Sequence, residues 1–297
     1  MTTLAEITER VLEQMAGYVD QSEQTHLTEA VTAGGLLLKV DEPRMLSQGL
    51  IEIGDELLWA SRVDNNARQV TIPPYGRGYR STTAASHPEG AAVINNPKFP
   101  RSSVVRAIND CIDGLYPDLY RVKSADLTYT AAQVSYELPA DAQAVHRVSW
   151  EDIGPSRAWR SLYRWNFDPN ADQSAFPSGR SLDLWQAPVP GRTVRVVYLA
   201  APGTMSDPAD DFTTATGLGA DAVEAVVWGA CYRLAGMLTA GRVQVQAIEA
   251  TLRAQVVDDK TGLAVAQQFH ALYQQSLAES RRRLLQQDPT GVHFRYA

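Results

Sequence analysis

Five histidines (26, 87, 146, 270 and 293), two cysteines and 34 acidic residues are the raw material for chemistry in this chain of 297 residues. No histidine stands at metal-binding spacing from another His, a Cys or a carboxylate, such as His-Glu-x-x-His. His87 precedes Pro88 in a loop-like segment, where turn-stabilising hydrogen bonds are its expected role. His146 lies inside an apolar run and reads as a satisfied structural histidine. Cys111 and Cys231 sit in helical segments and read as small buried side chains, since a zinc site or disulfide framework needs more ligands at closer spacing. Gly76-Arg77-Gly78 lacks the third glycine and the Lys-Ser/Thr pair of a phosphate-binding loop and reads as a glycine turn between strands. The hydrolase elbow Gly-x-Ser-x-Gly does not occur. Asp210-Asp211 and Asp258-Asp259 are sequence neighbours whose side chains diverge, and Asp207, Asp210 and Asp211 read as a solvated acidic loop. No catalytic set, metal or cofactor is expected.

One basic run stands out, Arg281-Arg282-Arg283. Three readings fit it: a nucleic-acid patch, a solvated helix end favoured by the helix dipole, and a contact with an acidic partner surface. Val292, Phe294 and Tyr296 alternate with His293 and Arg295 beyond it, which is the period of an added strand. Residues 281–297 carry four arginines against Asp288, in a chain whose net charge is −7. That acidic balance argues against general affinity for duplex nucleic acid. Of the 27 basic residues only Lys39, Lys98, Lys123 and Lys260 are lysines, and arginine favours forked contacts at interfaces.

The elements that must position these residues follow from periodicity. Thr3 and Glu6 fit a capping box before an apolar stripe of Leu4, Ile7, Val11, Leu12 and Met15, with Gly17 as the stop. Residues 18–30 read as a connector. Short alternating or β-branched runs at 36–40, 50–53, 56–63, 70–72 and 91–93 predict five or six strands in a small barrel or sandwich, with a hairpin turn at Asn65-Asn66. A helical stripe from Val105 to Tyr116 follows Pro100. Six further strand-like runs between Leu127 and Leu199, with Trp150, Trp159, Trp165 and Trp185, predict a β-sandwich with aromatics in its core or facing a partner. Residues 200–219 read as a loop.

The segment Ala220–Leu238 is apolar nearly all round, so it is expected to be buried on several sides, by its own domain or by neighbouring subunits. Helical segments at 243–256 and 263–285 follow. No run of 18 uncharged apolar residues exists, and the N-terminus lacks the basic start and apolar stretch of a signal peptide, so synthesis in the cytosol without membrane insertion is expected.

The stretch Leu50–Trp59, then Val63-Asp64, Gly76-Arg77-Gly78 and Ala84-Ala85-Ser86-His87-Pro88-Glu89-Gly90 resembles a β-module of tailed-phage virion proteins. In that module a strand, a turn and an Arg-Gly segment lead into an Ala-Ala-x-His-x-x-Gly loop. Tyr136–Asp141, running on to Val145 and Val148, resembles a strand opening of phage neck and tail-tube adaptors. The helices from Asp221 to Leu285 with their trailing tail are similar in layout to head-to-tail adaptor proteins of tailed phages.

The resemblance implies an α+β fold: a helical bundle with two inserted antiparallel β-domains, a small barrel and a β-sandwich, and an extended C-terminal arm. The expected segments are 1–30 (helix and connector), 31–96 (small β-barrel or sandwich), 97–120 (a helix joining the bundle), 121–200 (β-sandwich), 201–285 (bundle) and 286–297 (arm). It implies a structural virion protein, made in the host cytoplasm. Twelve copies form a ring in the neck between portal protein and the next neck or tail protein (stopper or tail terminator), and genome DNA passes without specific binding. Portal docking would fall to Arg281, Arg282, Arg283, Val292, Phe294, Arg295 and Tyr296. The subunit-interface helix would use Val223, Val226, Val227, Trp228, Tyr232, Leu234 and Met237. The competing reading is a tail-tip, baseplate or minor tail protein whose β-domain stacks sugar rings on Trp159 and Trp165.

Overall fold

In α1 (Leu4–Ala16), Leu4, Ile7, Thr8, Val11 and Met15 recur every three or four residues and are the buried face. Thr8 belongs to that stripe because its hydroxyl donates to the Leu4 carbonyl at 2.8 Å, so no polar atom is buried unpaired. The computed structural model describes residues 1–18, 22–152, 158–249 and 260–287, with the side chains of 237–249, 260–263 and 287 outside that description. Its described residues form a mixed α/β fold of four antiparallel sheets and five helices. They divide into two compact units, each assembled from separated stretches.

The first unit comprises Leu4–Cys111 and the described residues of Val226–Tyr273. Its strands are β1 (Gln24–His26), β2 (Leu37–Lys39), β3 (Gly49–Ile53), β4 (Glu56–Ala60), β5 (Arg62–Asp64), β6 (Gln69–Thr71) and β7 (Ala92–Asn95). They pair in the orders β1-β7-β3-β4 and β2-β6-β5. Leu38, Ile51, Ile53, Leu58, Ala60, Val70, Ile72 and Val93 from both sheets meet in one core. Each such aliphatic side chain contributes about 1.5–3 kcal/mol through burial.

The expected small barrel is not closed. Its two sheets stay open because the chain turns a corner at Ser61, between β4 and β5, and each strand then finds partners in a different sheet. The Ser61 amide and hydroxyl both donate to the Thr71 carbonyl there, at 2.9 and 3.0 Å. β1 falls in the stretch read as a connector. Only Thr25 of its three residues points inward, too little for a periodic signal. The turn after β5 also differs from expectation: Asp64 accepts from the amides of Asn66 and Ala67 at 3.0 Å, and the positive φ of 51° falls on Arg68 rather than on the asparagines.

α2 (Arg101–Asp113) begins directly after Pro100. The second unit contains Met1–Thr3, Ile112–Ala225 and the described residues from Gln274 onward. Its strands are β8 (Arg121–Thr128), β9 (Ser135–Glu137), β10 (Ala144–Glu151), β11 (Trp159–Leu162), β12 (Trp165–Asp168), β13 (Ser181–Leu184) and β14 (Thr193–Ala200). The sheet orders are β11-β10-β14-β8 and β12-β13-β9. Inward residues of both, among them Tyr136, Val148, Leu162, Leu182, Val194, Val196 and Tyr198, share one core. His146 is the extra residue where the β10–β14 register shifts between Val145 and Arg147, consistent with a structural role.

The loop read at 200–219 contains a short helix, α3 (Phe212–Thr216), capped by the Asp211 carboxylate on the Thr214 amide and ended by Gly217 at φ 72°. α4 (Val223–Glu249) and α5 (Lys260–Gln287) complete the described elements. The two segments expected at 220–238 and 243–256 are one helix as far as Glu249, and the rest of the second lies outside the described residues.

Candidate functional site

The residues that carry the phage β-module resemblance converge on a buried carboxylate. Glu56 begins β4 in phase with the inward Leu58 and Ala60, so strand alternation drives its side chain into the protein, where it is fully buried. Arg77 pairs with it in a fork, Nε to Oε1 at 2.7 Å and Nη2 to Oε2 at 2.8 Å. The backbone amides of Gly78 and Ala85 donate to the same two oxygens at 3.0 and 3.1 Å. His87 Nε2 lies 2.8 Å from Oε2 and, facing an ionised carboxylate, is the protonated ring nitrogen. The other N–H groups of Arg77 reach the carbonyls of Thr32, Gly35 and Ala85 at 2.6–2.8 Å, so all five guanidinium donors are used.

Burial alone would raise the Glu56 pKa, but Arg77, His87 and the two amides outweigh it and bring it down to about 2. Gly76 permits the turn: a Cβ there would stand 2.8 Å from the Trp59 carbonyl oxygen and from Pro73. A carboxylate saturated by five donors has no lone pair free to take a substrate proton, so the cluster is a clamp that holds residues 76–87 against β4. The sequence reading placed Gly76–Gly78 and His87 in turns but missed Glu56. A charged residue in phase with Leu58 and Ala60 was the available signal.

A second buried carboxyl lies close by on β3. Glu52 is 2% exposed, and one oxygen accepts from the Arg101 amide at the start of α2, at 2.7 Å. The Arg101 guanidinium turns instead to Asp55 at 2.9 Å and Glu9 at 2.5 Å. Burial dominates here and pushes the Glu52 carboxyl up to about 7 against the smaller opposing effect of Arg101.

The helix read as a subunit interface is largely occupied within the chain. Val223, Val226, Val227 and Leu234 are buried, Trp228 is half-buried and stacks on Phe269 at 6.0 Å, and Tyr232 is 40% exposed beside His270. The side chain of Met237 lies outside the described residues. The small residues serve close approach: a Cβ on Gly229 would overlap Cys111 Sγ of α2 and stand 3.0 Å from the Tyr273 ring of α5. Arg233 of α4 donates to the Asp110 carbonyl at 2.8 Å. Burial holds the thiols of Cys111 and Cys231 at about 11 and about 12, unreactive at neutral pH.

Of the basic run, Arg281 pairs with Asp118 at 3.1 Å, and Arg282 and Arg283 are exposed at the C-terminal part of α5. Val292, Phe294, Arg295 and Tyr296 lie outside the described residues. The two tryptophans of the sugar-stacking reading stand on strands of different sheets, β11 and β12. Trp159 carries the Arg195 guanidinium over its ring at 4.4 Å, with Arg195 held by Asp126 at 2.8 Å, while Trp165 packs against the sandwich core. In the acidic loop, Asp210 accepts the amides of Ser206 and Asp207, and Asp211 caps α3. Among the described residues no cluster of three or more His, Cys, Asp or Glu is placed to hold a metal ion, and no helix is long and apolar enough to cross a membrane.

A family model described as SU10 adaptor protein matches residues 89–292, from the Glu89-Gly90 turn through α2, β7–β14 and α3–α5. No curated protein matches the chain.

Proposed function

The chain belongs to the SU10 adaptor protein family, and from that premise we propose that it is a structural protein of a tailed-phage virion that joins head to tail. The family match over residues 89–292 carries this reading. In it, α2, α4 and α5 belong to a helical bundle, and copies of the chain, twelve in a ring, sit between the portal and the next neck or tail protein. A structural, non-enzymatic role is supported by the adaptor family.

Neighbouring copies meet through the half-buried Trp228 and the exposed Tyr232 rather than through the inward face of α4. The exposed Arg282 and Arg283, with Arg295, steer the C-terminal arm to an acidic portal surface, and Val292, Phe294 and Tyr296 supply the buried area. A net charge of −7 per copy, repeated around a ring, repels phosphate and lets DNA pass. Electron cryomicroscopy of purified virions tests the location and copy number, and absence of the protein from virions overturns the reading. Deleting residues 287–297 tests the arm. Normal joining of the truncated chain to portal-bearing heads, with normal titre, would refute portal docking. Submicromolar duplex binding at physiological salt would refute free passage.

A further inference from the structure

A cavity of about 520 Å³ opens in the first unit, between α1, β3, β7 and the start of α2. Leu12, Met15, Ile94 and Phe99 give it apolar walls, and Glu52 is part of its lining. We propose that this cavity is a socket for a basic side chain, the ammonium or guanidinium of a lysine or arginine on another protein chain, with Glu52 as counter-ion.

Three observations support the socket. Glu52 is 2% exposed, yet only one of its oxygens has a hydrogen-bond donor among the described residues, the Arg101 amide. A buried carboxylate with an unused oxygen is costly unless something donates to it. The nearby cations are otherwise engaged or do not reach it. Arg101 is held by Glu9 and Asp55, and Lys98, on the cavity wall, makes no ion pair with Glu52. The lining carries Glu52 with Lys98 and Arg101, and the charge of Arg101 is taken up by Glu9 and Asp55, which lie outside the lining. The shape agrees as well: the aliphatic stem of Lys or Arg suits apolar walls, and its head suits a carboxylate. That the other chain is a virion protein rests on the adaptor reading; the socket itself does not.

Burial raises the Glu52 carboxyl to about 7, so binding a cation must release a proton below that pH. The test uses the full chain with n-butylguanidinium and n-butylammonium as probes and n-butanol as the uncharged control, read by ligand-induced shifts in melting temperature and by calorimetry. At pH 8 the cationic probes bind and butanol binds at least about tenfold more weakly. Affinity for the cations falls about tenfold between pH 8 and pH 6 as Glu52 takes up its proton. Glu52→Gln weakens cation binding by about tenfold and abolishes its pH dependence. Equal binding of cations and butanol, or affinity independent of pH in the unsubstituted chain, overturns the socket. Should Glu52→Gln fail to fold, the pH dependence of the unsubstituted chain decides. None of these failures touches the adaptor reading.

Discussion

Glu52 and Glu56 stand on adjacent antiparallel strands, where Glu52 pairs with Leu57 and Ile53 with Glu56. Both are almost wholly buried, and their acidities move in opposite directions, up to about 7 and down to about 2. Depth below the surface therefore does not decide what a buried carboxylate does. The number of donors it meets does. Glu56 receives a forked arginine, two amides and an imidazole, whereas Glu52 receives one amide and sees Arg101 turned to other carboxylates. The first arrangement locks a long loop in place. The second leaves a charge whose cost is met only when it is protonated or when a donor arrives.

The harshest way to break this contrast is to take the charge from Glu56. Glu56→Gln leaves Arg77 buried without a counter-charge and should cost about 3–5 kcal/mol in urea unfolding. A loss below about 1 kcal/mol would mean that the clamp does not hold the loop. Adding Arg77→Met to it should recover little, because the Gly78 and Ala85 amides and His87 still need an acceptor.

Acid and alkali sharpen the same contrast through opposite slopes. Glu56, lowered in the folded state, contributes stability that is fully present above about pH 4.5, its unfolded value, and lost as pH falls towards about 2. Its share is about 3 kcal/mol. Glu52, raised in the folded state, contributes stability that is fully present below about pH 4.5 and lost as pH rises through about 7. Unfolding free energies measured from pH 2.5 to pH 8.5 should thus show Glu56 governing the acid limb and Glu52 part of the alkaline one. A flat profile between pH 5 and 8.5 would contradict the buried state of Glu52.

A gentler cut is Glu52→Gln. It should stabilise the isolated chain by about 2 kcal/mol at pH 8 and change little at pH 5, since the unsubstituted residue is already neutral there. Chemical denaturation at both pH values distinguishes this from a general packing effect, which would appear equally at each. The mildest is Arg281→Ala. Its pair with Asp118 has side chains 58% and 44% exposed, so the loss in thermal unfolding should stay within about 0.5 kcal/mol. A larger loss would show that this arginine is structural and remove it from the docking surface.

Sequence alone determined the alternation of helices with two β-rich stretches, because helical and strand periods depend on local spacing. Leu4, Ile7, Val11 and Met15 fix α1, and alternating residues from Val194 to Ala200 fix β14, without knowledge of any partner. The phage β-module resemblance was legible because the Arg-Gly and His-x-x-Gly turns are short and contiguous, and the adaptor family match over residues 89–292 agrees with the adaptor resemblance read from the second β-rich stretch and the C-terminal helices. What each turn residue does was not legible. Arg77 and His87 lie 21 and 31 residues from Glu56, and only strand pairing and the Ser61 corner bring the three together. Glu52 points away from the shared core and is buried because the start of α2 covers it, which no periodicity encodes. The small residues of α4 follow the same rule: composition marked the helix as crowded, but only the positions of Cys111 and Tyr273 decided that the crowding lies within one chain. Local spacing sets which face of an element is apolar; what comes to lie against that face is set by chain segments far away in sequence, and only the tertiary structure brings them there.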